Sequence, residues 1–267
     1  MEEHLNRGIK EVMMEFPAIE KILDEYGIGC GPCAVGTCLL KDIVKIHDLS
    51  EEDEKGLMAR LAQAIDPGLG VEPPPRDRKR ETEKNISYSP PIKKLVDEHL
   101  LIKKWIALIP AFVKNLDVES AEGRRLILEG VDFIRSYADK RHHAKEEEIL
   151  FTYFDENLEM IKVMREDHRR GRNHVKAILE ALERRDKAAI AEHLNGYREL
   201  LTEHIRKEDE IMLPWMDRQM SKPQVAELSA RFNGADAQMG SASPKYAAFI
   251  ETLEKRYAPA EGEDGSA

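Results

Sequence analysis

The sequence predicts an all-α fold: a four-helix up-down-up-down bundle with C-terminal helices, preceded by a small helical domain that contains the cysteines. Three observations predict it. Across residues 92–217 apolar positions recur at three- and four-residue spacing, with no period-two β-branched runs. Breaks at "NLDVES", "FDENLE" and "RRDK" cut that span into four long helices joined by short connections. The span also repeats itself, one helix pair laid over the next.

Residues 1–65 are assigned to the small helical domain. Ile19, Ile22, Leu23 and Tyr26 pattern a helix, which "YGIGCGPC" interrupts with three glycines and a proline. Helical stretches follow around 35–46 and 51–65, with Ser50 as the N-cap of the second. Residues 66–91 read as an extended, solvated linker, because three consecutive prolines and a mixed charge run offer almost nothing to bury. The bundle domain takes 92–257, with helices at about 92–115, 122–154, 158–184 and 187–217. Pro110 kinks the first helix or closes its last turn. Shorter helices at about 223–232 and 245–257 pack against the bundle, and 258–267 reads as a disordered tail.

The chain has 267 residues, 42% hydrophobic and 34% charged, the balance of a soluble globular protein. No apolar run approaches the ~20 residues that span a bilayer, so no membrane partner is expected. The start of the chain lacks a secretory apolar core, which makes the cytoplasm the expected location. A formal charge of −10 argues against a nucleic-acid partner. No nucleophilic triad, phosphate-binding glycine loop or nucleotide motif supports hydrolase or kinase chemistry. The three cysteines, Cys30, Cys33 and Cys38, are odd in number and clustered, which points to redox or metal chemistry rather than a structural disulfide framework.

The repeat carries the candidate site. "HHAKEEEILF" (142–151) lies over "HIRKEDEIML" (204–213), pairing His142 with His204, Lys145 with Lys207 and Glu146 with Glu208. Further upstream, Asp97-Glu98-His99 aligns with Glu166-Asp167-His168. Each half thus supplies one helix with a lone His and one with His-x-x-x-Glu. Residues four apart share a helix face, so each His-x-x-x-Glu can reach one point. The histidines continue apolar stripes: Ile127, Val131, Ile134, Ala138 and Ile149 with His142, and Val175 and Ile178 with His168.

Four imidazoles and two carboxylates would therefore converge inside the bundle, where unpaired polar groups are costly. A pair of metal ions resolves that cost, and imidazole with carboxylate suits iron. Taken singly, each piece has a plainer reading, a solvated salt-bridge pair or a hydrogen-bonded core histidine; duplication in register outweighs it. His143 and Glu147 share the same spacing and compete with His142 and Glu146, which the stripe and the repeat favour. His174 lies about 240° round the helix from His168 and is not expected to ligate. His193 and Tyr197 share the His204 face, Tyr197 as a buried tyrosine or a hydrogen-bond partner behind a ligand.

"DEH" (97–99), "HHAKEEEILF", "EDHRRGR" (166–172) and "HIRKEDEIMLP" (204–214) together resemble the hemerythrin-like (HHE cation-binding) family over roughly residues 90–257. The resemblance implies a non-haem di-iron centre of two Fe ions held by His99, His142, Glu146, His168, His204 and Glu208. It also implies binding or sensing of O2 or NO, or help in repairing iron–sulfur clusters. The chain departs from the oxygen carriers, whose third helix reads His-x-x-x-His; here the second position is Arg172. Their closing His-x4-Asp is matched by Asp209 as an alternative to Glu208. The four-His, two-Glu set resembles the iron-centre repair branch instead.

"FPAIEKILDEYGIGCGPC" (16–33) resembles the hybrid-cluster-associated redox disulfide domain, through Phe16-Pro17, Tyr26-Gly27-Ile28 and Cys30-x-x-Cys33. Cys38 would be a resolving thiol. Alternatively, Cys30, Cys33, Cys38 and His47 form a Cys3His set for Zn, or the thiols are inert in a turn. Three functional expectations follow: a di-iron protein binding O2 or NO in redox, oxygen or nitrosative-stress sensing or response; an iron-delivery or cluster-repair factor whose cysteines meet a redox or iron–sulfur client protein; and a metal-free helical interaction module.

Overall fold

A computed structural model describes residues 2–26, 28, 39–43, 49–69, 88–240 and 243–257. Among them there is no strand, only an isolated bridge between Gly8 and Leu39, so the fold is all-α as expected. The described residues fall into two compact units. One holds those up to Tyr88 with Asn157–Val163 and Arg206–Met220; the other holds Ser89–Glu156, Met164–Ile205 and the residues from Ser221 on.

In the first unit, α1 (Ile9–Glu15), α2 (Ala18–Glu25) and α3 (Glu51–Ile65) surround a small apolar core. Ile9, Val12, Ile19, Leu23, Tyr26, Ile28, Leu57 and Leu61 fill it, the spacing of three and four that places one face inward. Ser50 caps α3 as its sequence position requires, its hydroxyl accepting from the Asp53 amide at 3.1 Å. Cys30, Cys33, Cys38 and His47, most of the stretch 35–46, and most of the linker (70–87) lie outside the described residues, as does 258–267. The flanks of the linker are ordered differently from an extended chain: Pro67–Leu69 is a 3-10 turn, and Pro90 and Pro91 already open the next helix. Proline suits a first helical turn because no N–H is needed there.

Four long helical runs supply most of the second unit, while residues 159–163 of the third and 206–219 of the fourth belong to the first unit. The first run is α4 (Pro90–Lys114). The second is α5 (Ala121–Asp132), continued by a π-helical stretch Phe133–His143 and α6 (Ala144–Glu148). The third is α7 (Glu159–Glu183). The fourth is α8 (Lys187–Lys207), which runs on through a π turn Glu208–Met212 into α9 (Leu213–Gln219). Their ends fix the up-down-up-down order. His99 near the start of α4 meets His142 near the end of the second run, and His168 near the start of α7 meets His204 near the end of α8. At the opposite end Arg185 pairs with Glu119, joining the other two turns.

Trp105, Ile109, Phe133, Ile134, Ile178, Ile190, Leu194 and Leu201 make one core between the runs. Pro110 lies inside the last turn of α4, which ends four residues later. The second run stops at Glu148, short of the expected 154, and a 3-10 turn at Leu150–Tyr153 replaces its end. The C-terminal helices are α10 (Lys222–Met239), longer than expected, and α11 (Ser243–Tyr257). α11 adds Tyr246, Ile250 and Leu253 to the bundle core.

Candidate metal centre

Helix geometry delivers the histidines to one end of the bundle. α4 carries Glu98 and His99, the π stretch His142 and His143, α6 Glu146 and Glu147, α7 Asp167 and His168, and α8 His204. His99, His142, His143, Glu146, His168 and His204 are each no more than 4% exposed. Glu208 is equally buried and follows His204 by four residues on the same helical run. Burying so many ionisable groups is expensive unless they are paired or bind an ion.

Two groups form among the described residues, and Glu146 belongs to both. His99, His142 and Glu146 present ligand atoms within 4.8 Å of one another, and so do His143, Glu146, His168 and His204. Nε2 of His99 lies 2.8 Å from Nε2 of His142, and Nε2 of His168 lies 3.1 Å from Nε2 of His204. Glu146 reaches His142 Nε2 with one oxygen at 3.6 Å and His168 Nε2 with the other at 3.5 Å. Two donors bonded at about 2.1 Å to one ion at right angles stand about 3 Å apart, so these spacings fit shared ions. The donor set of imidazole and carboxylate suits iron, and a carboxylate facing both ways is suited to bridge two ions.

A second layer of acids faces the outer nitrogens. His142 Nδ1 lies 3.0 Å from Glu98, His168 Nδ1 2.7 Å from Glu147, His204 Nδ1 3.6 Å from Asp167 and His143 Nδ1 3.6 Å from Asp139. A carboxylate facing Nδ1 accepts a hydrogen bond from Nδ1–H, which keeps the proton on that nitrogen, leaves Nε2 as the donor to a metal and fixes the ring. Burial opposes the charge on Glu98, but the hydrogen bond from His142 and the nearby Lys145 hold its pKa below the usual carboxylate value. Burial, with His99 alongside, drives the His142 pKa down to about 3 despite Glu98, so the ring is neutral with a free lone pair at neutral pH.

Glu98 is itself gripped by buried Lys145, with Arg141 3.8 Å away. Arg141 and Lys145 share Asp236 of α10 at 3.0 and 3.4 Å, and Lys94 joins at 2.7 Å. α10 is thereby tied to the site through charge as well as through its buried Phe232.

The structure thus brings His99, His142, Glu146, His168 and His204 together, with His143 added to their number. Glu147, the alternative to Glu146, instead bonds His168 Nδ1 and accepts from Arg172 at 2.7 Å. Asp209, the alternative to Glu208, is partly exposed, and its carbonyl accepts from the Tyr88 hydroxyl at 3.1 Å. His174 packs on His193, with ring centroids 5.6 Å apart, outside both groups. Sequence reasoning gave no role to Glu98, Asp167 and Asp236. The first two were visible as the acids preceding each lone His in the repeat; Asp236 had no local signal.

A cavity of about 350 Å³ opens from solvent and reaches His143 and His168. Ile134, Val175 and Leu179 supply apolar walls, and Tyr197 forms part of its lining. The Tyr197 ring is 1% exposed, and its hydroxyl has no hydrogen-bond partner among the described residues.

Residues 90–216 match the model of a family described as the hemerythrin HHE cation binding domain. No curated protein and no solved structure gives a match to the chain. The N-terminal resemblance to a redox disulfide domain falls outside the matched residues. Among the described residues, no helix is long and apolar enough to cross a membrane.

Proposed function

From a hemerythrin HHE cation-binding domain at residues 90–216, we propose that this chain is a cytoplasmic non-haem di-iron protein that binds O2 or NO in sensing of, or response to, redox, oxygen or nitrosative stress. One observation carries the reading: the two oxygens of Glu146 face the Nε2 atoms of His142 and His168, one in each histidine group. His99 and His142 would hold one ion and His168 and His204 the other, with Glu146 between them. Glu208, four residues beyond His204, would be the second carboxylate ligand. His143 is a further nitrogen donor on the His168 side, its ring stacked on His168 at 3.9 Å.

The iron pair, when bound, would supply the redox-active seat for a small gas. The chain does the rest. Glu98, Glu147 and Asp167 orient the rings and hold the protons on Nδ1, the bundle excludes bulk water, and the cavity beside His143 and His168 gives a small molecule a way in.

Metal content and the visible spectrum of protein purified without added metal, before and after exposure to air, test the reading. About two irons per chain, with the near-ultraviolet bands of a coupled ferric pair, are expected. A colourless protein that takes up no ferrous iron anaerobically would sink the proposal and leave a metal-free interaction module. Stoichiometric loss of the iron to an apo iron–sulfur protein would instead make the metal a cargo, as in iron delivery or cluster repair.

A further inference from the structure

The family match ends at residue 216, yet α10, which follows it, takes part in the charge balance behind His142. Of α10 only Leu228 and Phe232 are buried, so apolar packing accounts for little of its hold on the bundle. Charge supplies the rest. Arg141 and Lys145, four residues apart in the second run, have side chains 11% and 1% exposed. Buried cations are costly unless they are paired. Within the matched domain, among the described residues, both meet a single acid, Glu98. Two cations on one carboxylate leave a positive charge over.

Asp236 of α10 supplies the missing anion. Its carboxylate lies 3.0 Å from Arg141 and 3.4 Å from Lys145, and its other oxygen accepts from Lys94 at 2.7 Å. Burial opposes that charge, but the hydrogen bond from Lys94 and the nearby Lys145 and Arg141 hold the carboxyl below the ordinary aspartate value. Glu98 is thereby left to accept from His142 Nδ1 at 3.0 Å, while Nε2 of the same ring faces His99. Without the charge of Asp236, both cations would draw on Glu98 alone, and the surplus positive charge would oppose a divalent cation at His142. His168 is backed by a separate set of charges, Glu147 and Arg172.

We propose that Asp236, outside the family domain, is a positioning residue of the metal centre: it balances Arg141 and Lys145 so that Glu98 stays on His142, and so sets the affinity of the ion on the His99–His142 side. The inference rests on the metal-pair reading given above.

The test is an anaerobic titration of the full chain, cleared of metal, with Co2+ against a competing chelator, followed by visible absorption. The wild type takes up two equivalents. Asp236→Asn also takes up two, but holds one about tenfold more weakly, the size of effect expected from disturbing a partner behind a ligand, and the other is unchanged. Adding Lys145→Met to Asp236→Asn removes the surplus cation and recovers most of the lost affinity, which a purely structural role for Asp236 would not give. Circular dichroism confirms that each variant is folded. If the wild type takes up two equivalents but Asp236→Asn leaves both unchanged, weakens both alike or is not improved by Lys145→Met, the proposal is overturned and the metal-pair reading stands. Fewer than two equivalents in the wild type overturns both. Should Asp236→Asn fail to fold, the double variant decides alone: wild-type affinity for both equivalents supports the proposal, and one weakened equivalent overturns it.

Discussion

Glu146 stands between His142 and His168, one carboxylate oxygen 3.6 Å from the first Nε2 and the other 3.5 Å from the second. With the side chain fully buried, that carboxylate is, among the described residues, the one group common to both histidine clusters. Glu146→Ala should lower iron from about two per chain to about one or none, measured by metal analysis after anaerobic loading. The melting temperature of the metal-free protein should not fall, because deleting a buried acid removes a desolvation cost. Full iron loading in the variant would remove Glu146 from the ligand set.

Glu147, its neighbour, should behave differently. It bonds the outer nitrogen of His168 and is tied to Arg172. Glu147→Gln should keep two irons but weaken binding about 10- to 100-fold, the usual effect of losing a partner behind a ligand. Competition with a chelator measures this. Loss of one whole equivalent, with unchanged affinity for the other, would make Glu147 a ligand itself.

Glu98 and Asp167 form the matching pair in the two halves, one behind His142 and the other behind His204. Glu98→Gln should weaken iron binding as Glu147→Gln does, and should also destabilise the metal-free fold, since Lys145 and Arg141 would lose a buried anionic partner. A thermal melt separates the two effects. Unchanged stability would show that Asp236 alone satisfies both cations.

Much of this was legible in the sequence because periodicity and repetition are local. The four runs follow the apolar spacing, and Ile127, Val131, Ile134, Ala138 and His142 are all buried along one run. The repeat singled out His99, His142, His168 and His204 among nine histidines, and the structure gathers those four at one end of the bundle. The π stretch was not legible. Its wider turn shifts the buried face, so Phe133, Tyr137, Arg141 and His143 are buried beside the expected stripe. That shift lets adjacent His142 and His143 both turn inward, where an α-helical period had made them competitors. Asp236 was invisible for another reason: it meets Arg141 and Lys145 only through the packing of α10, a contact no local pattern encodes.

Gly130 lies where the bundle core leaves little room for a side chain, against Trp105. A Cβ at Gly130 would lie 2.7 Å from the Trp105 ring, which is fully buried. Helix propensity favours alanine there by about 1 kcal/mol, but overpacking against an immobile indole costs about 1–3 kcal/mol. Gly130→Ala should therefore lower the melting temperature by a few degrees and perturb the tryptophan fluorescence. An increase in stability would mean that the indole shifts freely.

Asp132 offers a pH test remote from the histidines. Burial alone would raise its pKa, but hydrogen bonds from Lys245 at 2.6 Å, Ser136 at 3.0 Å and Tyr246 at 3.1 Å hold it below the ordinary value. A depressed folded-state pKa contributes stability that is present above the unfolded pKa of about 4 and is lost as the pH falls through the folded value. With Asp132 and Lys245 both well exposed, solvent screening keeps the contribution of the ion pair small. Asp132→Asn should accordingly lower the melting temperature slightly at pH 7, and the difference from wild type should shrink toward zero as the pH falls below about 4 and through the lowered folded-state value. A difference that stays constant over that range would show that the contact holds α11 through its hydrogen-bond geometry rather than through its charge.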